Sequence, residues 1–132
     1  MVAASPMRLI AAPTVCVAVL LAPHAALAMS ASFSWAGIPA CKTISPAFSV
    51  KDVPAGTKKL SFVMHDEQAP YFPHGGSTVN YAGATVPQGA IHYTGPCPPE
   101  GQTHHYVWAI EALDAKGHVL AKTTAAGDFP PK

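Results

Sequence analysis

The sequence predicts a mainly β domain, a sandwich or Greek key of short strands with few or no long helices. Three observations carry that expectation. Fourteen prolines (Pro 14) and ten glycines (Gly 10) in 132 residues would interrupt helices repeatedly, whereas turns between strands absorb both. The clearest periodicities have a repeat of two, and no window holds an apolar helical stripe longer than two turns. Apolar residues make up 49% of the chain and charged ones only 11%, enough to fill a core and the reverse of a disordered composition.

Along the chain, the first segment reads as an address and not as fold. Met1–Arg8 carries one positive charge, Leu9–Leu21 is uncharged and apolar, and the exit ends in small residues at Ala26 and Ala28. That pattern is a secretory signal peptide, with cleavage expected after Ala28. The apolar run falls short of a membrane span and Pro13 interrupts it; an uncleaved anchor is the rival reading. Residues 1–28 are thus a signal peptide and 29–132 a single domain, expected in the periplasm or secreted, with no transmembrane segment left in the mature chain. Cys16 leaves with the signal, so Cys41 and Cys97 remain. In an oxidising compartment an even pair favours a disulfide. Closing the loop 41–97 contributes roughly 4 kcal/mol in the chain-entropy model. Two free buried thiols are the alternative.

Within the domain, Pro46–Val50 reads as a short strand. A turn at Pro54-Ala55-Gly56-Thr57 leads into Lys59–His65, which sets Leu60, Phe62 and Met64 on one face. Ser77–Tyr81 and Ala90–Tyr93 are weaker strands. The strongest is His105–Leu113, in which Tyr106, Trp108, Ile110 and Ala112 alternate with His105, Val107, Ala109 and Glu111. Both of its faces are largely apolar, which predicts a central strand covered on each side. A hairpin turn over 112–117 would lead to a last short strand, Gly117–Lys122.

The formal charge is +1, from 8 basic and 7 acidic residues, which excludes a nucleic-acid binder working through a basic face. Three loop segments combine polar side chains with stiff backbone: Met64–Pro70, Tyr71–Gly76 and Gly95–Tyr106. A metal site could draw on His65, Asp66, His74, His92 and His104, but no two of these have the spacing of an established ligand motif. Ser45, Ser61 and Ser77 lack an activated-nucleophile setting, which leaves acid–base work by Asp66 and His104 as the conceivable enzymatic chemistry. His104 and His105 must point to opposite faces of their strand.

Gly95-Pro96-Cys97-Pro98-Pro99-Glu100-Gly101 followed by His104-His105-Tyr106 is the most specific motif in the chain. With Cys41, Ser45-Pro46, Val53–Lys58, Asp66–Pro70 and Ala112-Leu113-Asp114, it resembles the phosphatidylethanolamine-binding protein family in its bacterial, Raf-kinase-inhibitor-like form. The resemblance covers most of residues 41–129. It implies a β-sandwich whose small pocket accepts phosphate or similar anions, and it carries over Asp66, Pro70, His74, Gly95, Pro96, His104 and Tyr106 as ligand-binding positions. The chemistry is consistent with that role. Imidazoles and a phenol donate to an oxyanion, a glycine lets backbone N–H groups approach, and Asp66 would orient a histidine or accept from an ammonium headgroup. The chain departs from the family pattern at Glu67 and Gln68, which replace a proline and an acid. Gly75-Gly76 stand where a tryptophan is usual and His105 stands for an arginine. The long loop and helix that usually precede the last strand are missing.

The expected function is non-catalytic binding of a small anionic or phosphorylated ligand, a phospholipid headgroup among them, without cofactor, metal or nucleic acid. The alternatives are an exported inhibitor or interaction module acting on a protein through loop 95–101, and a metal-binding protein.

Overall fold

The computed structural model describes residues 1–4 and 26–132. The signal peptide expected over residues 1–28 lies largely outside them. Seven strands form among the described residues: β1 (Ser30–Phe33), β2 (Phe48–Lys51), β3 (Lys59–Asp66), β4 (Gly76–Asn80), β5 (Thr85–Val86), β6 (His104–Leu113) and β7 (Val119–Phe129). No helix forms among the described residues. The strands build two antiparallel sheets, one ordered β1-β2-β5 and the other β4-β3-β6-β7. The expected two-layer β architecture is what the chain adopts.

The alternation in β3 and β6 dictates what lies between the layers. β3 buries Leu60, Phe62, Met64 and Asp66, while β6 buries His104, Tyr106, Trp108, Ile110 and Ala112. Their register sets Asp66 opposite Tyr106 and Met64 opposite Trp108. Trp108 is the hub of the core. Phe48 of β2 meets it edge-on at 5.3 Å, and Tyr93 lies 5.0 Å away. Phe48 also packs on Phe62 at 4.9 Å, so one aromatic joins the two sheets. Burying rings of this size contributes several kcal/mol each, with further gain from edge-on geometry.

Three expectations need correction, and two strands come in addition. The strand expected at Ala90–Tyr93 is an extended loop. Ile91 and Tyr93 do alternate inward, but Ile91 N and His92 N donate to the hydroxyls of Ser45 and Ser77 and not to the backbone of a neighbouring strand. The last strand is longer than Gly117–Lys122, because β7 pairs with β6 along nearly its whole length and ends on buried Phe129. β6 is central, yet only one of its faces is buried; His105, Val107, Ala109, Glu111 and Leu113 stay half-exposed. β1 and β5 form without having been expected.

A disulfide joins Cys41 and Cys97. Beside it Cys41 N donates to the Pro96 carbonyl at 2.9 Å. Gly95 lies directly under Lys42, where an added Cβ would sit 1.6 Å from the Lys42 carbonyl oxygen. The bare backbone at Gly95 is therefore required by a chain crossing. These contacts pin loop 94–101 to the segment that leads into β2. Replacing both cysteines by serine is expected to lower the unfolding free energy by about 2–4 kcal/mol, read as a shifted midpoint in denaturant titration. An unchanged midpoint would mean that the crossing holds without the bridge.

Candidate functional site

The inward stripes of β3 and β6 turn polar at one end of the sandwich. Asp66 is the last residue of β3 and His104 the first of β6, and both are buried. A carboxylate there needs partners, and it has three. Asp66 Oδ1 accepts from Gln68 N at 2.9 Å and Ala69 N at 3.1 Å, and Oδ2 accepts from His104 Nδ1 at 2.7 Å. Burial by itself pushes the Asp66 carboxyl up. The bonds from His104, Gln68 and Ala69 and the His104 charge outweigh it, so its pKa falls below the ordinary 3.8. The same bonds curl residues 67–69 into a turn and start the loop that carries His74.

That loop is closed by Met64 N donating to the Gly75 carbonyl at 2.9 Å. His74 is then locked to the segment after Ile91. Its Nδ1 donates to the Thr94 carbonyl at 2.7 Å, and Thr94 N donates to the His74 carbonyl at 2.7 Å. Its ring stands edge-on to Tyr106 at 5.4 Å and beside Phe72 at 4.7 Å. His74 Nε2 points toward Asp66 Oδ2 across 3.8 Å, too far for a hydrogen bond. The Tyr106 hydroxyl is buried and makes no hydrogen bond of good geometry to the described residues, although the Asp66 carboxylate and the Cys97 backbone lie near enough to act on it. Burial and the nearby Asp66 charge push its pKa above the ordinary 10.0, so at neutral pH it is a neutral hydroxyl.

These side chains converge on a cavity of about 480 Å³, within the range of small-molecule sites. Of the positions expected to bind, Asp66, His74, Gly95, His104 and Tyr106 line it. Pro70 and Pro96 do not. Pro70 is exposed on the turn after Ala69, and Pro96 is fully buried with its carbonyl committed to Cys41. Residue reading missed Gln68, Tyr71, Phe72, Thr94 and Gln102 as lining groups, although all five lie within or beside the polar loop segments. His105 points to the outer face and pairs with Asp128 at 2.7 Å, which raises its pKa above 6.5. His65 and His92 are exposed elsewhere, and among the described residues no three His, Cys, Asp or Glu are grouped so as to hold a metal ion.

The family model described as phosphatidylethanolamine-binding protein matches residues 21–129. This chain belongs to the phosphatidylethanolamine-binding protein family. Its similarity to the UPF0098 protein YbhB of Escherichia coli K12 is 30% identity over 99 residues, covering 54% of this chain and 60% of that protein. The chain thus spans about 60% of the length of the curated relative it matches. Among solved structures, a phosphatidylethanolamine-binding protein homologue of Chlamydia trachomatis superposes with a TM-score of 0.57 at 20% identity, covering 80% of this chain and 99% of that one. It shares the fold. Escherichia coli YbcL gives a TM-score of 0.45 at 20% identity, covering 65% of this chain and 78% of that one.

The depressed pKa of Asp66 fixes how its contribution varies with pH. A folded-state value below 3.8 means that the ionised carboxylate stabilises the fold above 3.8 and loses that contribution as pH falls through the folded value. Asp66→Asn is expected to cost about 3 kcal/mol at neutral pH. The gap between wild type and variant should close on acidification, as followed by denaturant titration from neutral pH to below 3.8. A gap independent of pH would remove the charge from the argument.

Proposed function

We propose that this protein binds a small anionic or phosphorylated ligand in the cavity without transforming it, a phospholipid headgroup being one candidate. The observation that carries the reading is the buried, unpartnered Tyr106 hydroxyl, set beside two buried imidazoles in one hollow. An orphaned hydroxyl in a closed core costs about 1–3 kcal/mol, and an oxyanion accepting from it would remove that cost. The mouth is apolar. Tyr71 is 87% exposed and Phe72 46%, a rim suited to a ligand with a polar head and an apolar remainder. The name of the Chlamydia trachomatis homologue points in the same direction.

Binding without catalysis is supported by the state of the available nucleophiles. The Ser45 hydroxyl is buried and accepts from Ile91 N, and the Ser77 hydroxyl accepts from His92 N. Asp66, the conceivable base, is committed to three donors. We further propose that residues 1–28 are removed on export and that the protein works in the periplasm or outside the cell. The Cys41–Cys97 bridge supports this, since such bonds persist in oxidising compartments.

Titration calorimetry with inorganic phosphate and with glycerophosphoethanolamine tests the binding. Tyr106→Phe is expected to keep the fold and weaken phosphate binding about ten- to hundredfold, the worth of one hydrogen bond to a charged group. Equal affinity in the variant, or no heat with either probe, overturns the assignment. Intact mass of the exported protein is expected to start at Met29, and a mass that includes Met1 overturns the export proposal.

A further inference from the structure

Of the polar side-chain atoms of Asp66, His74, His104 and Tyr106, two make no hydrogen bond to the described residues, and His104 supplies neither. His104 Nδ1 is engaged with Asp66 Oδ2 at 2.7 Å and Nε2 with Gln102 Oε1 at 3.1 Å. His74 has one nitrogen engaged, Nδ1 on the Thr94 carbonyl at 2.7 Å. A carbonyl oxygen only accepts, so Nδ1 carries the hydrogen. In the neutral ring Nε2 is therefore a bare lone pair. It faces a carboxylate oxygen 3.8 Å away, and its ring stands edge-on, at 5.4 Å, to that of Tyr106, which bears the other free group.

A lone pair repels an oxyanion. A fully deprotonated anion can accept from His74 only when Nε2 has gained a proton. Counting charge gives the same answer. The titratable groups facing His74 are Asp66 from β3, His104 and Tyr106 from β6, and Tyr71 on its own loop. Loop 94–97 adds the Thr94 carbonyl and disulfide-bonded Cys97, neither of them charged. No lysine or arginine lines the cavity among the described residues. A charged His104 only balances Asp66, and Tyr106 is neutral at ordinary pH. A second imidazolium, at His74, is what turns the hollow positive.

We infer that the cavity takes up an oxyanion together with one proton, held at His74 Nε2, so that pH controls affinity through His74. The inference rests on the anion-binding reading and adds the regulation of that site. His104 is then a positioning residue, which fixes Asp66 and through it the loop that carries His74. A ligand that still carries an acidic hydrogen, such as a monoprotonated phosphate monoester, can deliver the proton itself, whereas sulfate must draw it from solvent.

Sulfate is therefore the probe, since it does not titrate near neutrality. Calorimetry in two buffers of different ionisation heat is expected to show about one proton taken up per sulfate, and affinity falling about tenfold per pH unit on the alkaline side of histidine titration. His74→Gln keeps an N–H donor that does not titrate and is expected to bind sulfate with the pH slope gone. If that variant does not fold, the ¹⁵N shift of His74 in the wild type decides: sulfate added at fixed pH should move Nε2 to its protonated position. Sulfate binding without proton uptake overturns the inference, as does an undiminished slope in folded His74→Gln or an unmoved Nε2. If neither sulfate nor phosphate binds the wild type, the anion reading falls and takes this one with it. Phosphate binding combined with proton-independent sulfate binding removes the inference alone.

Discussion

The bond from His104 Nδ1 to Asp66 Oδ2 is the interaction on which the site depends. It ties the end of β3 to the start of β6, the two strands that bury more core residues than any other strand. A carboxylate at that depth would be strongly unfavourable alone. The compensation it requires explains the local backbone: residues 67–69 turn back to offer two N–H groups, and β6 offers an imidazole. The loop with His74 departs from that turn, so one buried charge determines where a second histidine can stand.

How much of this could be read from the sequence differs by element. β3 and β6 were legible because their large apolar residues alternate over a long run, and the same alternation separates His104 from His105. β1 and β5 have four and two residues, too few for any period to emerge. The second half of β7 is Thr-Thr-Ala-Ala-Gly-Asp, without an apolar stripe. It is extended because β6 offers it a ladder and Trp35 packs at Gly127, where the indole nitrogen donates to the carbonyl at 3.3 Å. Ala90–Tyr93 shows the opposite failure. Its alternation is real, but serine hydroxyls take the hydrogen bonds that a strand partner would have taken.

The site was legible in its chemistry and not in its assembly. The motifs identified the two imidazoles, the phenol and the acid, and these meet in one cavity. Which nitrogen stays free depends on Thr94 and Gln102, ordinary loop residues that no spacing singles out. Gly95 was read as room for a ligand, but its missing side chain is taken up by the Lys42 carbonyl. Pro70 and Pro96 belong to the motifs through backbone shape, one as an exposed turn residue and the other as a buried carbonyl.

The crossing at Gly95, with the Cys41–Cys97 bridge beside it, also bears on when the cavity can come into being. Its walls are drawn from the end of β3 and the loop after it, the stretch between β5 and β6, and the start of β6, and the arm that clamps them enters from ahead of β2. Bringing such distant stretches together costs loop-closure entropy, which only the assembled fold offsets. A fragment that lacks any one of these stretches lacks a wall of the hollow.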